Sequence, residues 1–240
     1  MMQPAKPNRP EFDFRTLSQD LRRVAKDIPL NWGRVQNNEY DNQLQEVCNI
    51  FDIMTLNELD NHIANFDSDH RNYYRRRWYM LNCARCDEYL FACNEGVERN
   101  PERKAKEWDI IINQQYKFDI KGTVIPKDFR RNWTAAMDDP SEMVEFYYEK
   151  QSHGVRFDMQ NRLFIVHHSQ VDSRREILLR CAWQTKAIVY HEFIENVSDI
   201  KFTTYKGCTA ALIFLIETER GKMQYKISGL NAELQSVKNC

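Results

Sequence analysis

The chain has 240 residues, 42% hydrophobic and 29% charged, with only 7 Gly and 7 Pro; collagenous and low-complexity disordered classes are excluded, and a sizeable core can be buried. A net charge of −1 and a pI near 6.6 exclude a uniformly basic nucleic-acid coat. The longest uncharged apolar run, Cys208 to Ile216, is nine residues, against the roughly 20 a membrane helix needs, so the expectation is a soluble protein with no membrane association. Charge is nevertheless uneven: residues 71–131 carry +5 and the remainder −6.

Prolines at positions 4, 7 and 10 predict a loose N-terminal tail over residues 1–14. Leu17, Leu21 and Val24 then mark a first helix that stops before Pro29. Tyr40, Leu44, Val47 and Phe51 recur at helical spacing. Thr55 followed by Glu58 is a capping-box pattern that opens a third helix, with Leu56, Leu59, Ile63 and Phe66 on one stripe. A longer helix follows from about Ser68 to Cys93, so residues 15–93 read as a helical region for contacts or dimerisation, its last helix belonging to the core. This helix holds Cys83 and Cys86, with Cys93 beyond. With no second Cys or His pair to complete a metal site, these read as core thiols. Seven cysteines, an odd number, and an N-terminus without an apolar signal core both point to a reducing cytoplasm.

The pattern changes at Asn94, and residues 94–240 read as an α/β core. Residues 94–107 are too polar to make a convincing strand. Trp108 to Ile112 and Tyr116 to Ile125 read as two strands joined by a tight turn at Asn113-Gln114-Gln115. A basic loop (Lys127, Arg130, Arg131) and a short helix capped by Ser141 follow. Arg162 to His168 is a further strand, Ser173 to Val197 a long helix, and Ala210 to Ile216 and Met223 to Ile227 two more strands.

The chemistry is concentrated on the strand pair. Period-two geometry places Asp119, Lys121 and Thr123 on one face of the second strand, opposite Phe118, Ile120, Gly122 and Val124. Asp109 opens the preceding strand, whose three isoleucines commit it to a buried sheet. Two carboxylates beside a hydrophobic sheet are costly unless paired or bound to metal. Paired carboxylates are also the oxygen ligands of a hard divalent cation such as Mg²⁺, and a neighbouring lysine can orient water or stabilise charge on a phosphate.

Asp109 followed by Asp119-Ile120-Lys121 across a hairpin resembles the PD-(D/E)xK nuclease superfamily. The resemblance implies a restriction-endonuclease-like fold, a mixed central sheet flanked by helices behind an all-helical N-terminal region. It implies a metal-dependent endonuclease of restriction or anti-phage type, most readily acting on double-stranded DNA as a homodimer, with Mg²⁺ or Mn²⁺ as cofactor. Asp109, Asp119 and Lys121 would be catalytic, and Asp109, Asp119 and the helical Glu88 would hold the metal. Trp108 stands where family members often have proline, Asp119 where glutamate is commoner, and no strand is expected before Asp109. Arg75, Arg76 and Arg77, interleaved with aromatics, and Lys104, Lys106, Lys127, Arg130 and Arg131 are candidate nucleic-acid contacts. Thr123, His167 and His168 are candidate accessory groups. The alternatives are an RNase or toxin nuclease on the same scaffold, and a non-catalytic module that binds nucleic acid or protein.

Overall fold

The computed structural model describes residues 11–27, 37–102, 107–150 and 160–237, so residues 1–10 of the tail expected over 1–14 and the candidate contacts Lys104 and Lys106 lie outside the described residues, and the first helix begins at Phe14 within that expected tail. The chain divides into two compact units, Met1–Cys86 with Pro101–Arg103, and Asp87–Asn100 with Lys104–Cys240; the division falls inside the longest helix. Among the described residues, no helix is long and apolar enough to cross a membrane.

The first unit holds helices α1 (Phe14–Asp27), α2 (Asn38–Val47), α3 (Leu56–Ile63) and the first part of α4 (Ser68–Ala92). Leu17, Leu21 and Val24 of α1 and Leu56, Leu59 and Ile63 of α3 are buried, the periodicity read from the sequence. Thr55 caps α3 by accepting from the Glu58 N–H; the Glu58 carboxylate reaches back to the Met54 N–H, one residue before the usual capping-box partner. Val47 and Phe51 are both exposed, Phe51 past the end of α2, so the expected stripe stops at Leu44, and Phe66 lies past α3. In α4 the aromatics Tyr73, Tyr74, Trp78 and Tyr79 turn inward, Arg75, Arg76 and Arg77 are half-buried, and Arg85 is buried, donating to Asn82 Oδ1 and the Phe51 carbonyl. The Trp78 Nε1–H donates to the Ile53 carbonyl at 3.0 Å, which satisfies its polar edge within the core.

The second unit is a mixed α/β layer structure around an eight-stranded sheet in the order β1-β2-β3-β4-β6-β7-β8, with β5 (Thr203–Tyr205) paired to β6. Strands β1 (Val97–Arg99), β2 (Ile110–Ile112) and β3 (Tyr116–Val124) form an antiparallel run. Parallel pairs then join β3 to β4 (Arg162–Ser169) and β4 to β6 (Cys208–Glu219). Antiparallel β7 (Lys222–Ile227) and β8 (Gln235–Ser236) complete that side. Every residue of β4 is buried, which explains why its centre, Leu163 to Val166, is continuously apolar rather than alternating. On one sheet face Phe164, Val166, Leu212, Phe214 and Ile216 pack against Met143, Val144 and Tyr147 of α6 (Ser141–Glu149), which follows α5 (Trp133–Asp138). Phe118 lies near Phe193 of α8 (Trp183–Glu195), whose Tyr190 stacks on Phe91 of α4.

Four sequence expectations change. Val97–Arg99 is a strand despite its polarity: its one inward side chain, Val97, pairs in register with Ile112, and a short edge strand can afford charges elsewhere. The β2–β3 turn is tight as expected, with Asn113 and Gln114 both left-handed at φ 51° and 56°. Ser141 is the first residue of α6 rather than its cap; the capping carboxylate belongs to Asp139, which accepts the Ser141 N–H and hydroxyl. The long helix expected over 173–197 is broken into a 3₁₀ turn at Ser173–Arg175, α7 (Glu176–Leu179) and α8. At the break the backbone tightens into i to i−3 bonds, Cys181 N–H to the Leu178 carbonyl and Ala182 N–H to the Leu179 carbonyl, with Leu179, Arg180 and Cys181 all buried. The fourth change is at the C-terminal side of the sheet, where β5 and β8 add short strands that the sequence pattern does not signal.

Candidate active site

β2 pairs with β3 only from Tyr116 to Phe118. Just before β2, Asp109 still donates its backbone N–H to the Phe118 carbonyl at 2.9 Å, and its own carbonyl accepts from the Asn100 N–H at 2.9 Å. The main chain then leaves β3, and the next outward-facing donor, the Ile120 N–H, is taken at 2.8 Å by Oδ2 of the Asp109 side chain. The carboxylate thus caps the strand edge where β2 stops covering it, which fixes its position.

Asp119 projects from β3 with its side chain 10% exposed, and Lys121, two residues on, shares its face. Lys121 Nζ donates to Asp119 Oδ1 at 2.7 Å. Arg162, opposite Asp119 in the parallel register, brings Nε to 3.5 Å from Oδ2 and stacks its guanidinium 4.8 Å from the Tyr148 ring centroid. Despite this ion pair, Asp119 Oδ2 is fully buried and has no hydrogen-bond partner. Burial, followed by the negative charges of Glu88 and Asp119, pushes the Asp109 carboxyl up to about 7, against the opposing pull of Lys121 and the Ile120 N–H. Glu88, on α4, is anchored by Arg99 of β1 at 3.3 Å. The fold therefore brings Asp109, Asp119, Lys121 and Glu88 into one electrostatic neighbourhood.

Asp109 and Asp119 are the oxygen donors that fit a divalent cation. The three carboxylates Asp109, Asp119 and Glu88 are faced by three cations, Lys121, Arg162 and Arg99, yet the buried Asp119 Oδ2 receives no hydrogen bond. Among the described residues, no group of three or more His, Cys, Asp or Glu side chains stands ready to hold a metal together.

The remaining candidates are placed elsewhere or otherwise engaged. Arg75 and Arg77 lie in the helical unit, paired with Asp60 at 2.8 Å and Asp41 at 3.1 Å, and Arg76 sits 5.9 Å from the Tyr73 ring. Lys127 and Arg131 are exposed on the 3₁₀ turn after β3 (Lys127–Asn132), whereas Arg130 of that turn grips the buried Glu176 with both terminal nitrogens. His168 shares the Lys121 face by strand alternation, but its Nδ1 is held 3.1 Å from Glu176 and its ring lies 5.0 Å from Trp133. His167 faces the other way, fully buried, with Nδ1 3.0 Å from the Thr123 carbonyl; burial, then the charges of Lys186 and Arg180, hold it well below the usual histidine range. Thr123 is buried beside Val124. Arg162 is the site residue that sequence reasoning missed; the available signal was a lone charge heading an otherwise apolar strand.

Comparison with protein-family models, with curated proteins and with solved structures yields no match.

Proposed function

We propose that this protein is a divalent-metal-dependent nuclease that hydrolyses phosphodiester bonds, most readily in duplex DNA, on a restriction-endonuclease-like core. The observation that carries the reading is the convergence of Asp109, Asp119 and Lys121 where β2 leaves β3, with the Asp109 carboxyl pushed up to about 7 by burial and by its acidic neighbours. β1 adds support, because it supplies the strand before Asp109 that family members carry. Asp109 and Asp119 would hold Mg²⁺ or Mn²⁺, with Glu88 as a third acidic neighbour. The bound ion supplies Lewis acidity and acidifies water. Lys121, which in the resting site donates to Asp119 Oδ1, would hold the attacking water and face the charge that grows on the phosphoryl oxygens. Water adds to phosphorus, the P–O bond to the departing alkoxide breaks, and the water's proton ends on that alkoxide.

The test is hydrolysis of supercoiled plasmid, labelled single-stranded DNA and RNA with Mg²⁺ or Mn²⁺, comparing wild type with Lys121→Ala and Asp119→Asn. Metal-dependent cutting is expected for wild type, with a loss of about 10²-fold or more in each variant. Preferred cutting of RNA would move the substrate to that class. Activity that survives in both variants overturns the assignment of the site. No cutting together with no heat of Mg²⁺ binding in calorimetry would leave a binding module.

A further inference from the structure

Asp119 is fixed from two sides by the start of β4. Its backbone N–H donates to the Asn161 carbonyl at 2.9 Å, and the Asn161 side-chain oxygen accepts from the Thr209 N–H of β6 at 2.7 Å. The next residue, Arg162, stands opposite Asp119 in the parallel register, and its Nε lies 3.5 Å from Asp119 Oδ2, a buried oxygen that receives no hydrogen bond. The guanidinium packs 4.8 Å from the Tyr148 ring centroid. The Tyr148 hydroxyl donates to the Gln160 carbonyl at 2.7 Å, which ties that ring to the segment leading into β4. The two cations around Asp119 are therefore unlike. Lys121 reaches Oδ1 at 2.7 Å on a flexible stem with its side chain 34% exposed, whereas the Arg162 side chain is 6% exposed and backed by a ring. A divalent ion arriving from solvent would displace the ammonium and leave the guanidinium in place.

We propose that Arg162 is a positioning residue that reserves Asp119 Oδ2 and presents Oδ1 alone to the metal, and that it thereby shifts the choice of the site between Mg²⁺ and Ca²⁺ toward Mg²⁺. The inference rests on the nuclease reading and adds a determinant of metal choice. Mg²⁺ demands near-octahedral geometry and keeps several waters beside one or two carboxylates, whereas Ca²⁺ accepts both oxygens of one carboxylate at longer distances. A carboxylate with one oxygen held from behind by a buried guanidinium offers the first kind of ligand and withholds the second. Partners that orient a ligating carboxylate raise metal affinity. Charge alone acts the other way, because removing a cation beside the site strengthens the attraction for every divalent ion. The sign of the effect therefore separates positioning from charge.

The experiment is isothermal titration calorimetry of the full chain with Mg²⁺ and with Ca²⁺, for wild type, Arg162→Met, Arg162→Lys and, as a control, Lys222→Gln at the exposed end of β7. Thermal midpoints serve as the folding check. In Arg162→Met the Mg²⁺ affinity is expected to fall about tenfold while the Ca²⁺ affinity holds, so that the Ca²⁺ to Mg²⁺ affinity ratio rises by that factor. Arg162→Lys keeps the charge without the ring-backed fork and is expected to give an intermediate ratio, and Lys222→Gln the wild-type one. An unchanged ratio in a folded Arg162→Met, with both affinities moving together, would overturn the role of Arg162 and leave the nuclease reading standing. Wild type that binds neither ion would overturn both. If Arg162→Met does not fold, Tyr148→Leu removes the ring behind the guanidinium and keeps its charge. A ratio shifted the same way there supports the proposal, and an unaltered ratio counts against it.

Discussion

Asp109 ionises at a cost. Its carboxyl is raised from an ordinary value of 3.8 to about 7, first by burial and then by Glu88 and Asp119. Between those two values the native chain holds a proton at this position that the unfolded chain has already released. Stability is therefore greatest below the unfolded value, falls as pH rises through the window, and levels off above about 7. Asp109→Asn keeps an oxygen for the Ile120 N–H but never ionises. In EDTA, the variant is expected to melt a few degrees above wild type at pH 8, with the gap narrowing through pH 5 and closing only below the unfolded value of 3.8, since about 1 kcal/mol shifts the midpoint of a domain this size by roughly 2–4 °C. Differential scanning fluorimetry across pH reads this directly, and a difference that does not grow with pH would refute the burial argument. Mg²⁺ should reverse the ranking at pH 8, because a cation stabilises the ionised wild-type carboxylate.

At the scale of elements, what ties α4 to α8 is ionic as well as apolar. Lys186 is fully buried, and its Nζ is satisfied by Asp87 at 2.7 Å and by the Arg180 carbonyl, while Tyr190 donates to the same Asp87 oxygen at 2.9 Å. Breaking such a pair from one side strands a buried charge and costs about 3–5 kcal/mol, whereas replacing both partners with apolar groups is close to neutral. Lys186→Met is thus expected to be strongly destabilising in urea unfolding, and Asp87→Leu with Lys186→Met to recover most of the loss. An additive double variant would show that the two residues do not act as a pair. The elements also show what the sequence made legible. The hairpin of Asp109 and Lys121 was readable from its alternation and tight turn, and the central strands from apolar runs such as Leu163 to Val166 and Ala210 to Ile216, the mark of strands buried on both faces. The pairing of Asp119 with Arg162, the break at Arg180 and strand β1 were not readable. They arise from contacts between residues far apart in sequence, and an edge strand buries too little to leave a periodic trace.

Over the whole molecule, the charge total constrains how nucleic acid could be held. A chain of net charge −1 has no global attraction for a polyanion, so binding would depend on locally collected cations and should weaken steeply with salt. The proposed site supplies one Asp109–Asp119–Lys121 set per chain. A duplex presents two strands related by local two-fold symmetry, and an isologous dimer of this chain would set one such group against each strand. Under the nuclease reading, the order of products from supercoiled plasmid reports that arrangement. A dimer that engages both strands in one encounter is expected to give linear DNA early, with little nicked circle accumulating, and light scattering should return twice the 28.8 kDa chain mass at the same concentration. Dilution below the dimer dissociation constant should then convert the pattern to nicking before linearisation. A monomer mass with nicked circle as the persistent first product would instead mean that each chain cuts one strand per encounter, and that the homodimer is not part of the mechanism.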